Sequence, residues 1–295
     1  MANKKNKKGH SAGHMGRGKP KTSRKGKRLA YGFVAQHDTP SESVVPQAAG
    51  ASENGVRLNK WLADAGVASR RKCDAMVLEG VVDVNGEIVL EPGRRILAGD
   101  EVKVEGRVVK VVRRLYYLFY KPKGVLCTND LRETRLRVCD LIDPLMPSRV
   151  FTVGRLDEAS EGLLLLTNDG EFSQLMTHPS FGVRKTYMVR VDGLVDFDSV
   201  EKLRKGAFID GTKVVPLSVR VGRRTKAFSA VEITIREGRN REVRRLLARS
   251  GLKVRQLKRV RIGSLGVKGV KRGGYRPLSR HEVEELVACA REGRD

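Results

Sequence analysis

The placement of charge limits most strongly what this chain can fold into. Residues 1–28 hold eleven Lys or Arg and no Asp or Glu. Such a segment repels itself and has almost nothing apolar to bury, so it is expected to stay disordered. Residues 29–55 form a near-neutral linker rich in Ser, Ala, Pro and Gly, whose formal charges are Asp38, Glu42 and Glu53. A fold must therefore be built from residue 56 onward. The 295 residues together carry +25; the first 55 contribute eleven bases against three acids, which leaves +17 on the rest. A basic body behind a basic tail favours a polyanionic partner, with nucleic acid first among candidates. The tail is expected to strengthen that binding without carrying it alone.

An apolar content of 40% suffices for a core, and no run of about eighteen apolar residues exists that could span a membrane. The lysines near the start lack the apolar stretch of a secretory signal behind them. Cys73, Cys127, Cys139 and Cys289 are scattered without CxxC spacing, so a reducing, cytoplasmic setting is expected. The five His are dispersed, and neither a Walker loop nor a dinucleotide fingerprint is present. Any catalysis is expected to run on side chains, without metal or cofactor.

Leu58, Trp61, Leu62 and Ala65 fall on one stripe of a short helix that Gly66 can end. Ser69 is a plausible N-cap for a second helix with Cys73, Met76 and Val77 inward and Gly80 as its stop. Asn85-Gly86 between short apolar runs predicts a hairpin, and EVKVEG a further strand ending near Gly106. Arg70, Arg71 and Lys72 occupy the first turn of the second helix, where the dipole disfavours cations. They read either as a solvated basic cluster or as a site for a backbone phosphate. The sequence RLNKWLADAGVASRRKCDAMVLEGVVDVNG resembles the small RNA-binding domain named after ribosomal protein S-four, which implies binding of structured RNA and no chemistry.

From about residue 107 the pattern changes. LYYLFY, RVFTV, GLLLLT, KTYMVRV and AVEITI read as strands, with Val231, Ile233 and Ile235 on one face of the last. Helices are expected around Glu171–Met176, Ser199–Lys205 and Asn240–Arg249, and one from Ser279, where Glu282 completes a capping box. The irregular spacing predicts an α+β domain with a mixed, largely antiparallel sheet. The domain plan is thus tail and linker 1–55, RNA-binding module 56–106 and second domain 107–295. Within GRLDEASEGLLLLTNDG, residues 154–170, Arg155 and Asp157 are presented on a loop between two strands. A carboxylate held there can act as nucleophile or base, although a lone loop Asp is more often a turn or capping residue.

The motifs YKPKGVLCT, GRLD…GLLLLTNDG, HPSFGVRKTY and EGRNREVRRLL occur in the order found in the RsuA family of RNA pseudouridine synthases, which the second domain resembles over nearly its full length. The resemblance implies isomerisation of a uridine to pseudouridine in ribosomal RNA, 23S more than 16S, with no cofactor. It also implies Asp157 as the catalytic aspartate, Tyr187 as the tyrosine packing on uracil, Arg244 as the basic active-site residue, and Arg155 as a displacer of the target base. Helical geometry adds that Val243, Leu246 and Leu247 form a core stripe, with Arg244 on its flank, partly buried and in need of an anion; Asp157 is the expected partner. Arg241 and Arg245 are expected to face solvent and contact phosphates. Ala159, Ser160 and Glu242 depart from the family pattern, which usually has an acidic residue, Thr and Gln there. The expected partner is ribosomal RNA or a pre-ribosomal particle, bound by a monomer away from membranes. The competing readings are a catalytically silent RNA-binding assembly factor and a structural ribosomal protein. Intact Asp157, Tyr187 and Arg244 weigh against the first, and the apolar strands against the second.

Overall fold

The computed structural model describes residues 54–130, 132–142, 146–236 and 238–293; the expected disordered tail and nearly all of the linker lie outside them. The chain begins with β1 (Val56–Arg57), α1 (Leu58–Asp64) and α2 (Arg70–Leu78). Then follow β2 (Val82–Val84), β3 (Glu87–Ile88), β4 (Arg95–Ile96), β5 (Val102–Val104) and β6 (Arg107–Val108). Leu58, Leu62, Cys73 and Val77 from the helices close on Val82, Val84 and Val102 from the sheet, all essentially inaccessible. Ser69 caps α2 by accepting from the Lys72 N–H, as its position suggests. Asn85 and Gly86 both have positive φ, 55° and 86°, the requirement of the tight turn joining β2 to β3. The sheet has four strands in the order β3-β2-β5-β6, one strand more than the hairpin and its follower predict.

The second domain comprises β7 (Tyr116–Lys121), α3 (Val138–Ile142), β8 (Phe151–Val153), β9 (Glu161–Thr167), α4 (Gly170–Thr177), β10 (Lys185–Asp192) and α5 (Phe197–Lys205). It continues with β11 (Ala207–Ile209), β12 (Thr212–Val214), β13 (Ser218–Arg224), β14 (Phe228–Ile235) and α6 (Glu242–Arg249). It ends with β15 (Val254–Ile262), β16 (Leu265–Gly266), β17 (Tyr275–Pro277) and α7 (Arg280–Glu292). One mixed sheet runs β13-β14-β10-β15-β9-β7-β17, with β8 and β16 attached at its sides. Its pairs are antiparallel except β9 with β15. The fold is α+β.

Strand β9 is buried along its whole length, as its apolar run suggests. Leu163 and Leu165 meet α4 and α7 on one face, while Leu164 and Leu166 meet α3 on the other. Helices α5 and α6 cover β10 and β14 through Val200, Leu203, Val243, Leu246 and Leu247. At the parallel junction Gly162 has φ 114°, and a Cβ there would lie 2.2 Å from the Arg259 carbonyl oxygen. Only glycine permits that approach. The Ser279–Glu282 capping box opens α7 as expected. Among the described residues, no helix is long and apolar enough to cross a membrane.

Candidate active site

The loop between β8 and β9 turns at Gly154, whose φ is 70°, and then alternates its side chains. Leu156 is buried in the core, and its N–H donates to Cys127 Sγ at 3.4 Å. Its neighbours Arg155 and Asp157 therefore point the other way, with Arg155 exposed and 28% of the Asp157 side chain open to solvent. The loop is pinned from below by Lys121, which has no exposed surface. Its Nζ donates to the carbonyl oxygens of Ser160 and Pro122, both at 2.9 Å. Burial pushes the Lys121 ammonium down to about 8, although Cys127, Asp157, Glu158 and Glu161 act in the opposite direction.

Arg244 Nε and Arg241 Nη1 each stand 3.6 Å from Asp157 Oδ2. Arg244 is held by the same loop, its Nη2 donating to Ala159 O at 3.1 Å and Ser160 Oγ at 3.2 Å. Its Nε is buried without a hydrogen-bond partner. Burial lowers the guanidinium's affinity for its proton, with Asp157 opposing. At 3.6 Å the Asp157–Arg244 contact is an ion pair short of a hydrogen bond, a separation that catalytic pairs commonly close when substrate arrives.

Tyr187, on β10, is 6% exposed and lies beside Ile233 of β14 and Arg259 of β15. With Asp157, Arg155, Lys185, Arg241 and Arg259 it lines a recess of about 120 Å³. The recess shares Gly154–Asp157 and Arg241 with an open groove of about 660 Å³ that is also lined by Thr128, Asp130 and Arg132. The arrangement places one carboxylate, flanked by arginines, at the mouth of an aromatic-lined recess opening into a broad polar groove. It suits a reaction on one base drawn from a polyanionic chain.

The structure thus brings together Asp157, Tyr187, Arg244, Arg155 and Arg241, and leaves Arg70, Arg71, Lys72 and Arg245 outside both depressions. Two expectations need correction. The helix begins at Glu242, two residues later than its apolar period suggests, and Arg241 is its N-cap in a left-handed conformation. That backbone turns Arg241 to Asp157 instead of opposite the site. Arg245 is engaged with Asp210 through two bonds of 2.6 and 2.7 Å. The buried carboxylate of Glu242 accepts from the Arg239 N–H and acts on Lys185. The Ser160 hydroxyl is in use on Arg244, and at position 159 the backbone carbonyl supplies the brace. No role is evident in the sequence for Lys121 and Arg259, which are buried, or for Lys185, which is half-buried. Lys121 and Lys185 lie inside recognised motifs at strand ends, whereas Arg259 hides within a basic stretch that reads as surface.

Comparison with known proteins shows the family to which the chain belongs. The profile of the RNA pseudouridylate synthase family matches residues 115–249, and that of the S4 domain matches residues 56–102. Ribosomal large subunit pseudouridine synthase B of Bacillus subtilis is 39% identical over 241 residues, covering 81% of this chain and 98% of its own length. An uncharacterized RNA pseudouridine synthase of Aquifex aeolicus is 38% identical, covering 78% of this chain and 93% of its own. A crystal structure of a pseudouridylate synthase superposes with a TM-score of 0.55 at 29% identity, over 79% of this chain and the whole of that one. The chain belongs to the RNA pseudouridine synthases of the RsuA type, with an S4 domain ahead of the catalytic domain.

Proposed function

We propose that this enzyme converts one uridine of ribosomal RNA, in the 23S rather than the 16S molecule, to pseudouridine without a cofactor, and that Asp157 is its nucleophile or base. The observation that carries the reading is the carboxylate of Asp157, fixed on a loop stapled by Lys121 and faced by Arg244 and Arg241 at 3.6 Å. Large-subunit RNA is favoured by the names of the relatives, since the Bacillus subtilis and Haemophilus influenzae proteins are both called ribosomal large subunit pseudouridine synthase B. In this reading the uridine leaves its stack, at a cost of a few kcal/mol, and Arg155 at the groove's edge takes part of its place. Tyr187 packs on the uracil. Asp157 acts on the ribose as the bond from C1′ to ring nitrogen N1 breaks, and Arg244 keeps the carboxylate aimed. The ring turns and its C5 bonds to C1′; C5 loses its proton and N1 gains one, so the reaction is an isomerisation. Arg70, Arg71 and Lys72 on α2, together with Arg241 at the groove, supply phosphate contacts. Acting as a monomer in the cytoplasm, the enzyme meets ribosomal RNA free or in a pre-ribosomal particle.

The test is to map pseudouridines in ribosomal RNA from cells with and without the protein. The reading expects one or a few sites in 23S RNA to lose the modification. A loss confined to 16S RNA overturns the choice of subunit.

A further inference from the structure

Lys185 and Arg259 both line the Tyr187 recess. Arg259 is 4% exposed, and its backbone pairs with that of Tyr187 between β10 and β15. Its Nε donates to Leu163 O at 2.7 Å, which fixes the guanidinium, while its Nη2 is buried and without a hydrogen-bond partner. Lys185 lies two residues before Tyr187, on the same side of β10. Its ammonium sits below the loop that follows β14, 3.9 Å from where a Cβ of Gly238 would be, and donates to Val183 O at 3.1 Å. Burial pushes Lys185 down to about 8; Arg259 from β15 acts in the same sense and Glu242 from α6 opposes it. Both cations line the recess together with Asp157.

Cations buried beyond their carboxylates are costly, and are stabilising only where negative charge arrives. The reaction brings such a charge. When the bond from C1′ to N1 breaks, its electron pair passes to the uracil and spreads over N1 and the two carbonyl oxygens. It is withdrawn again when C5 uses a pair to bond to C1′ and releases its proton. We propose that Lys185 and Arg259 form an electrophilic seat for the uracil carbonyl oxygens, holding the ring's negative charge while it is detached. The proposal rests on the isomerisation and not on the role given to Asp157: an active Asp157→Asn enzyme would remove that role alone.

The test pairs substitutions in the enzyme with substitutions in the base. Single-turnover rates are measured on the RNA that the wild type modifies, carrying uridine, 2-thiouridine or 4-thiouridine at the target. Lys185→Met and Arg259→Met are each expected to slow uridine isomerisation by about a hundredfold, with RNA affinity nearly unchanged. Sulfur is the weaker acceptor, so at a seated position it slows the wild type by about tenfold. That penalty should vanish in the variant lacking the matching donor. Lys185→Arg keeps a donor that does not titrate, so it should retain most activity and lack the decline in rate expected of the wild type above about pH 8. The Lys185 variants keep the seat testable if Arg259→Met does not fold. Thio penalties that stay undiminished in both Met variants, or Met variants as fast as wild type, overturn the proposal.

Discussion

Arg244 is anchored by the loop it serves, through Ala159 O and Ser160 Oγ, which leaves its Nε free to face Asp157. Ser160→Ala removes one of those acceptors. It should lower turnover by about tenfold, the worth of one hydrogen bond to a charged group, while RNA affinity holds; an unchanged turnover contradicts the positioning role. Lys185 carries a second prediction at this scale. Its folded-state value of about 8 lies below the ordinary 10.5, so between those pH values the unfolded chain binds the extra proton and wild-type stability rises with pH. Lys185→Met should therefore stabilise the fold by about 1–3 kcal/mol at pH 7, and the gain should shrink as pH rises from 8 towards 10.5. A variant destabilised at pH 7 in denaturant titrations contradicts the reading of a half-buried charge that its neighbours only partly compensate. The placements of Asp157, Tyr187 and Arg244 were legible because each sits in an ordered motif beside apolar residues that fix its direction. That of Arg241 was not, since nothing in its neighbours signals the left-handed backbone that turns it inward. Lys121, Lys185 and Arg259 were invisible for a different reason: in a chain this basic, one more Lys or Arg reads as surface.

The elements that position the site were legible where local chemistry is decisive. The Asn85-Gly86 turn, the apolar run of β9 and the capping box of α7 are each specified within a few residues. Strand β15 was not, because VRQLKRVRI carries four cations among its nine residues and resembles an exposed segment. It is nonetheless an inner strand of the sheet. Gln256 bonds Glu161 at 2.7 Å, Lys258 lies 5.0 Å from the centre of the Tyr120 ring, and Arg259 is fixed on Leu163 O. Its parallel contact with β9 depends on partners ninety-seven residues apart, Lys258 with Glu161 and Arg259 with Gly162, which no local pattern encodes. Gly162 makes that contact possible. Gly162→Ala would set a Cβ 2.2 Å from Arg259 O at a φ of 114°, and should destabilise the protein by about 3 kcal/mol or more. Because the Asp157 loop leads straight into β9, activity should fall further than the loss of folded protein explains. A melting temperature equal to wild type would contradict this account of the junction.

At the scale of the whole molecule, binding and chemistry are divided between two compact cores. Lys60 of α1 meets Glu171 of α4 at 2.6 Å, one contact that joins the S4 domain to the catalytic one. Arg70 and Arg71 are exposed at the start of α2, at a helix terminus where a solvated design would place acids. If each grips one phosphate, the Arg70→Gln/Arg71→Gln protein should show a plot of log affinity against log salt flatter by about 1.4–1.8. Its Michaelis constant should rise and its turnover hold; an unchanged slope would return both arginines to the solvated surface. Charge and motif made this division legible from residue 56 onward, whereas the groove's shape needed the loops of distant segments to be brought together. The central claim is that Asp157 is the group that acts on the ribose, and that isomerisation stops without its carboxylate. Its most direct test is pseudouridine formation by Asp157→Asn on the target RNA, with RNA affinity measured in parallel. The account predicts wild-type affinity and no detectable pseudouridine; a rate above about one hundredth of wild type contradicts it.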